Sequence, residues 1–134
     1  MSVFQGAILS VKLNYLDQWN ALRLRNAKLY NAYLGKISNI KTPELRDGYK
    51  HVFHQYVIKI QDRDKLKKYL LEHEIDSAIY YSIPCHLQNV YKDKMTKNII
   101  SEKLADEVLA LPIAEHITED DVKYISDIIY KFYN

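Results

Sequence analysis

Apolar residues recur in steps of three and four over the first quarter of the chain: Phe4, Ile8, Val11, Tyr15, Trp19, Leu22, Leu29 and Tyr33, broken only at Asn26. That spacing predicts an amphipathic helix. No proline interrupts it, and Gly35 follows Leu34 where a helix-ending residue belongs, so the predicted helix spans 3–34. At 1.5 Å per residue it would measure about 48 Å. A compact domain of this chain length is only about 36 Å across. The helix is therefore expected to overhang its own domain, and with no cap sequence ahead of its first apolar residue it reads as part of a longer element. A kink near Asn26 is the alternative.

Downstream the periodicity alternates between two kinds. Val52 to Ile60, rich in β-branched and aromatic residues, predicts a strand. Asp62 is placed to cap a short helix that buries Leu66, Tyr69 and Leu70. Ser77 to Tyr81 reads as a second strand, ended by Ser82-Ile83-Pro84. A loop carrying Lys92 to Lys97 leads to a helix over 99–108 that buries Ile100, Leu104 and Val108, and Leu109 to Ile113 reads as a third strand. Thr118-Glu119-Asp120-Asp121 has the form of a capping box, with Asp121 in the Glu/Gln position. It opens a terminal helix with Val122, Ile125, Ile129 and Phe132 on one face. The expected fold class is α+β: an antiparallel or mixed sheet of about three strands packed with helices, preceded by the long helix.

Composition narrows the classes of function. The chain has 134 residues, 48% of them hydrophobic, which suits one soluble domain. A net charge of +2, with acids and bases interspersed as in Asp62-Arg63-Asp64-Lys65, offers no stripe for nucleic acid. The Lys67-Lys68 pair and the Lys92, Lys94, Lys97 group read as solvated faces. The longest apolar run, Val108 to Ala114, is far too short for a bilayer span. With one cysteine, Cys85, no internal disulfide is possible, and a cytoplasmic location is expected.

The residues suggest no complete active site. Three glycines, Gly6, Gly35 and Gly48, are too scattered to cradle a phosphate. His51 and His54 form an H-x-x-H, but on a strand they would face opposite ways, so no metal site is expected. Cys85 beside His86 invites a thiol nucleophile; a packed free thiol is the expectation.

Several stretches together resemble the DegT/DnrJ-type sugar-nucleotide aminotransferases, enzymes of the aspartate-aminotransferase fold that use pyridoxal phosphate (PLP). Gln5-Gly6-Ala7-Ile8-Leu9-Ser10-Val11-Lys12-Leu13 followed by Leu16-Asp17-Gln18-Trp19-Asn20 resembles the family's long helix. Val52 to Ile58 is similar to its V-Y-H-x-Y-V-I strand, and Ile79 to Gln88 to its I-H-Y-P-x-P-x-H-x-Q loop. Leu111-Pro112-Ile113 and the Thr118 helix resemble the closing strand and helix. Tyr80 stands where the family usually has histidine, Ser82 where it has proline, and Glu74 where a glycine with positive φ is common.

The resemblance implies that residues 1–134 are the small C-terminal domain: the long helix over 1–34 and an α+β body over 50–134, without the PLP-binding large domain. It implies substrate-binding roles in the intact enzyme for His86, Tyr81, Tyr80 and His54, with no catalytic residue and no metal ligand in this chain. The implied reaction moves an amino group from an amino acid such as glutamate to a keto-sugar nucleotide, and the implied assembly is a homodimer. Alone, the chain is expected to hold no PLP and to be inactive. No nucleic-acid or membrane partner is expected. The alternative is a non-enzymatic dimerisation or regulatory module that uses the aromatic helix as its interface.

Overall fold

The computed structural model describes residues 2–91 and 97–134. Its elements run α1 (Val3–Leu13), α2 (Leu16–Leu34), β1 (Tyr56–Lys59), α3 (Arg63–Glu72), α4 (Ile99–Glu107), β2 (Val108–Leu111) and α5 (Glu119–Tyr133), with a single 3-10 turn at Cys85–Leu87. The class is α+β, as the sequence predicts, but the sheet has two strands rather than three.

The long helix is two helices, and they part at Asn14–Tyr15, not at Asn26. Asparagine is a weak helix former because its side chain competes for backbone hydrogen bonds. Here the bonding tightens to a three-residue step, Tyr15 N–H to the Lys12 carbonyl at 3.0 Å. Nor does α1 begin uncapped. The Ser2 hydroxyl accepts from Gln5 N–H, and the Gln5 side chain accepts from Ser2 N–H, a complete capping box. The expected overhang is there, since α1 buries no residue. Asn26 is fully buried on the core face of α2, where its Nδ2 donates to the Ile117 carbonyl at 2.8 Å. A polar residue inside the apolar pattern is thus a satisfied core position.

The core lies where α2 and α5 pack together over the sheet and α3. Ala27, Tyr30 and Leu34 of α2 meet Val122, Ile125, Ile128 and Ile129 of α5, with Tyr56, Ile58, Leu109 and Leu111 from the strands and Leu66 and Leu70 from α3. The rings of Tyr30 and Tyr56 stack at 4.8 Å, and burial pushes both phenols above their ordinary pKa. Each hydroxyl keeps a partner: Tyr30 donates to the Pro112 carbonyl at 2.9 Å and Tyr56 to Asn31 Oδ1 at 2.6 Å. Val122, Ile125 and Ile129 of the expected terminal face are buried, and Phe132 packs partly against them.

β1 and β2 are antiparallel, with Tyr56 opposite Leu111 and Lys59 opposite Val108. Single bridges flank them, Lys41 to Lys59 on one side and Ala78 to Ala110 on the other. Ala78 is all that remains of the expected strand 77–81: the chain turns away directly afterwards to line a groove. The first strand is also shorter than 52–60. Phe53 takes φ 46 so that its ring enters the core, and its N–H donates to His51 Nδ1 at 3.0 Å. Pro112, which has no N–H, closes β2 after Leu111. Asp62 precedes α3 without capping it, because its carboxylate pairs with Lys65 at 2.8 Å. On α4 the expected buried stripe fails: Ile100 is 73% exposed, Leu104 is exposed, and only Ala105 is buried. Most of the expected Lys92–Lys97 loop lies outside the described residues.

Candidate functional site

The segment that leaves the sheet after Ala78 faces α4 across a groove of about 750 Å³. Tyr80, Tyr81, Ile83, Cys85 and His86 form one wall, and Lys97, Ser101, Leu104 and Ala105 the other. Of the apolar positions expected to be buried on the α4 face, Leu104 and Val108 line this groove instead, while Ile100 does not. Tyr81 is the more open of the two groove tyrosines, at 74% exposed, and its ring meets that of Tyr80 edge-on at 5.7 Å.

His86 does not reach freely into solvent. It sits in the 3-10 turn, 7% exposed, with Nε2 at 2.9 Å from Glu102 Oε1 on α4. That hydrogen bond holds the Glu102 carboxyl below its ordinary pKa, helped by the charge of Lys97 and by the Asn98 N–H, which donates to the same oxygen at 3.3 Å. Cys85 is exposed rather than packed. The neighbouring imidazole turns its Nε2 to Glu102, and among the described residues no base is hydrogen-bonded to this thiol.

His54 lies apart from this groove. It borders a smaller recess of about 260 Å³ with Gln55, Asp76, Ser77 and Tyr80, so Tyr80 belongs to both. His54 and His51 also border a shared shallow depression, contrary to the opposite-face expectation, because they precede the strand instead of alternating along it. The loop that carries them is held by Arg23 of α2. Its Nη1 donates to the carbonyls of Phe53 (3.3 Å), His54 (3.4 Å) and Ile113 (2.8 Å), and its Nη2 pairs with Glu115 Oε2 at 3.2 Å. Among the described residues no group of three or more His, Cys, Asp or Glu side chains is arranged to hold a metal ion.

The structure therefore brings Tyr80, Tyr81 and His86 together and sets His54 next door. Two contributors were missed from sequence: Glu102, sixteen residues from its partner with no motif linking them, and Arg23, hidden between apolar positions of a helix.

The profile of the DegT/DnrJ/EryC1/StrS aminotransferase family matches residues 1–130. This chain belongs to that family. A pleiotropic regulatory protein of Geobacillus stearothermophilus is 38% identical over 96% of the chain and 36% of its own length. The dTDP-3-amino-3,6-dideoxy-alpha-D-galactopyranose transaminase of Aneurinibacillus thermoaerophilus is 33% identical over 96% of the chain and 35% of its own length. Among solved structures, a DegT DnrJ EryC1 StrS aminotransferase from Brucella abortus superposes with a TM-score of 0.90 at 35% identity, covering 97% of this chain and 35% of that one. The chain thus spans about a third of the length of the family members it matches. No helix among the described residues is long and apolar enough to cross a membrane.

The described lining of the groove does not fit PLP: among the described residues its one lysine, Lys97, is exposed at the head of α4, and none is a carboxylate that could face a pyridine nitrogen. The nearby Glu102 is already engaged by His86.

Proposed function

We propose that this chain is the small domain that covers the substrate in a PLP-dependent sugar-nucleotide aminotransferase, and that it is inactive alone. The observation that carries this reading is the groove in which Tyr80, Tyr81 and His86 converge. Two aromatic faces and an anchored imidazole suit a ligand that is part ring and part hydroxyl: rings stack, and hydroxyls take the polar groups. The substrate named for the Aneurinibacillus relative is of that kind, an amino sugar on a nucleotide. His54 serves the same ligand from the adjoining recess, and Tyr80 spans the two. The amino group comes from an amino acid such as glutamate. PLP supplies the electron sink for the transfer and is held by residues that lie outside this groove.

The test is a titration of the isotopically labelled chain with a dTDP-linked amino sugar. Resonances of Tyr80, Tyr81 and His86 are expected to shift together, with smaller movements at His54. Shifts confined to other faces, or none, would overturn the substrate-binding roles. With PLP, glutamate and a keto-sugar nucleotide, the pure chain is expected to form no amino sugar and no lysine-linked PLP absorbance band. Either product defeats the claim of inactivity.

One observation favours a second reading. Phe4, Ile8 and Val11 of α1 are all more than half exposed, a surface suited to pairing with a second copy. A concentration-independent monomer in sedimentation would dismiss it.

A further inference from the structure

Of the residues around the groove, Glu102 is the one whose placement fixes another's chemistry. Its Oε1 faces His86 Nε2 at 2.9 Å and is itself oriented by the first turn of α4, since it also accepts the Asn98 N–H at 3.3 Å. Asn98 in turn caps that turn by accepting from Ser101 N–H at 3.2 Å. The carboxylate is therefore set by helix geometry rather than by its own rotamer freedom.

A carboxylate can only accept, so the ring nitrogen that faces it must carry the hydrogen. An uncharged His86 is then confined to the Nε2–H tautomer, and Nδ1 is the ring's acceptor. Turning the ring over would set an unprotonated nitrogen or a carbon against the carboxylate. With His86 93% buried, water is poorly placed to make good that loss. The other titratable groups lining the groove, Tyr80, Tyr81, Cys85 and Lys97, make no hydrogen bond to the ring among the described residues.

We infer that Glu102 is a positioning residue for the groove: it locks the orientation and tautomer of His86 so that the imidazole offers a hydrogen-bond acceptor, Nδ1, to a hydroxyl of the bound ligand. The identity of that ligand as a sugar nucleotide rests on the function proposed above; the locking of His86 does not.

Histidine nitrogen NMR on the whole chain, above the pH at which the ring titrates, tests the two parts separately. In the unaltered chain His86 Nε2 is expected to show the shift of a protonated ring nitrogen and Nδ1 that of an unprotonated one. Glu102→Gln, whose amide oxygen still accepts, should keep this pattern, whereas Glu102→Leu should average the two shifts. The reverse assignment in the unaltered chain overturns the inference whether or not either variant folds, and so does an unchanged pattern in folded Glu102→Leu. Adding a dTDP-linked amino sugar should move the Nδ1 resonance, with affinity weakened about tenfold in Glu102→Leu and much less in Glu102→Gln. The expected tautomer together with no response to the sugar nucleotide would leave the positioning role standing and overturn the ligand reading alone.

Discussion

Glu74 occupies the left-handed region, φ 60, directly after α3. Its N–H donates to the Leu71 carbonyl at 3.1 Å and that of Ile75 to the Leu70 carbonyl at 2.9 Å, the paired closure that ends many helices. Glycine adopts that conformation without the steric cost a Cβ incurs. Replacing Glu74 with Gly should therefore stabilise the fold by about 1 kcal/mol, read as a higher denaturant midpoint at unchanged slope. The same scale explains Asn26. In a helical stripe an asparagine looks like an interruption, because the sequence does not show the Ile117 carbonyl that waits for its amide across the core. His86 is the parallel case in the candidate site. Its loop placement was legible, while the carboxylate that pins it comes from a helix sixteen residues on and carries no spacing signal.

At the scale of elements, the best local signal gave the best result. The Thr118 capping box forms as its pattern predicts, with Thr118 N–H to Asp121 Oδ2 at 2.8 Å and Asp121 N–H to Thr118 Oγ1 at 3.1 Å. Thr118→Ala should cost about 1 kcal/mol of stability in a denaturation experiment. The hydrogen bonds from the Thr118 side chain and backbone hold the Asp121 carboxyl below its ordinary pKa. A group depressed in the folded state stabilises above its unfolded pKa, and that contribution is lost as pH falls through the folded value. The first turn of α5 should accordingly lose amide protection on acidification below about pH 4, and Asp121→Asn should flatten that dependence. Strands were harder to place, because their ends depend on partners. Phe53 leaves the extended region to bury its ring, and Ala78 pairs with Ala110 at a single position before the chain turns to the groove. The apolar stripe of α4 has a helical period, but Leu104 and Val108 line a groove and Ile100 stays exposed, a distinction periodicity cannot make.

The whole molecule exposes 9945 Å² of accessible surface. A compact monomer of its 15.8 kDa would expose about 7300 Å². Part of the excess is α1, which buries nothing in this chain and stands on its capping box and its junction with α2. Introducing charge there, as Phe4→Glu with Ile8→Glu, should change the unfolding free energy by less than about 0.5 kcal/mol. If the exposed face mediates self-association, the same pair should lower the sedimentation coefficient at high concentration. A large loss of stability would instead mean that α1 contributes to the folded core.

The sequence by itself determined the α+β class, the end of α2 before Gly35, the positions of α3 and α5 and the cap at Thr118, because each depends on residues within a turn or two of one another, while the family resemblance pointed to the positive φ at Glu74. It also carried the family, through stretches spread along nearly the whole chain. Tertiary structure decided the rest: the reduction of the expected second strand to one bridge, the burial of Asn26 and the pairing of His86 with Glu102. In each of these an outcome turned on whether a core or a partner was present to satisfy a group, and periodicity records only that a side chain is apolar, not what will meet it.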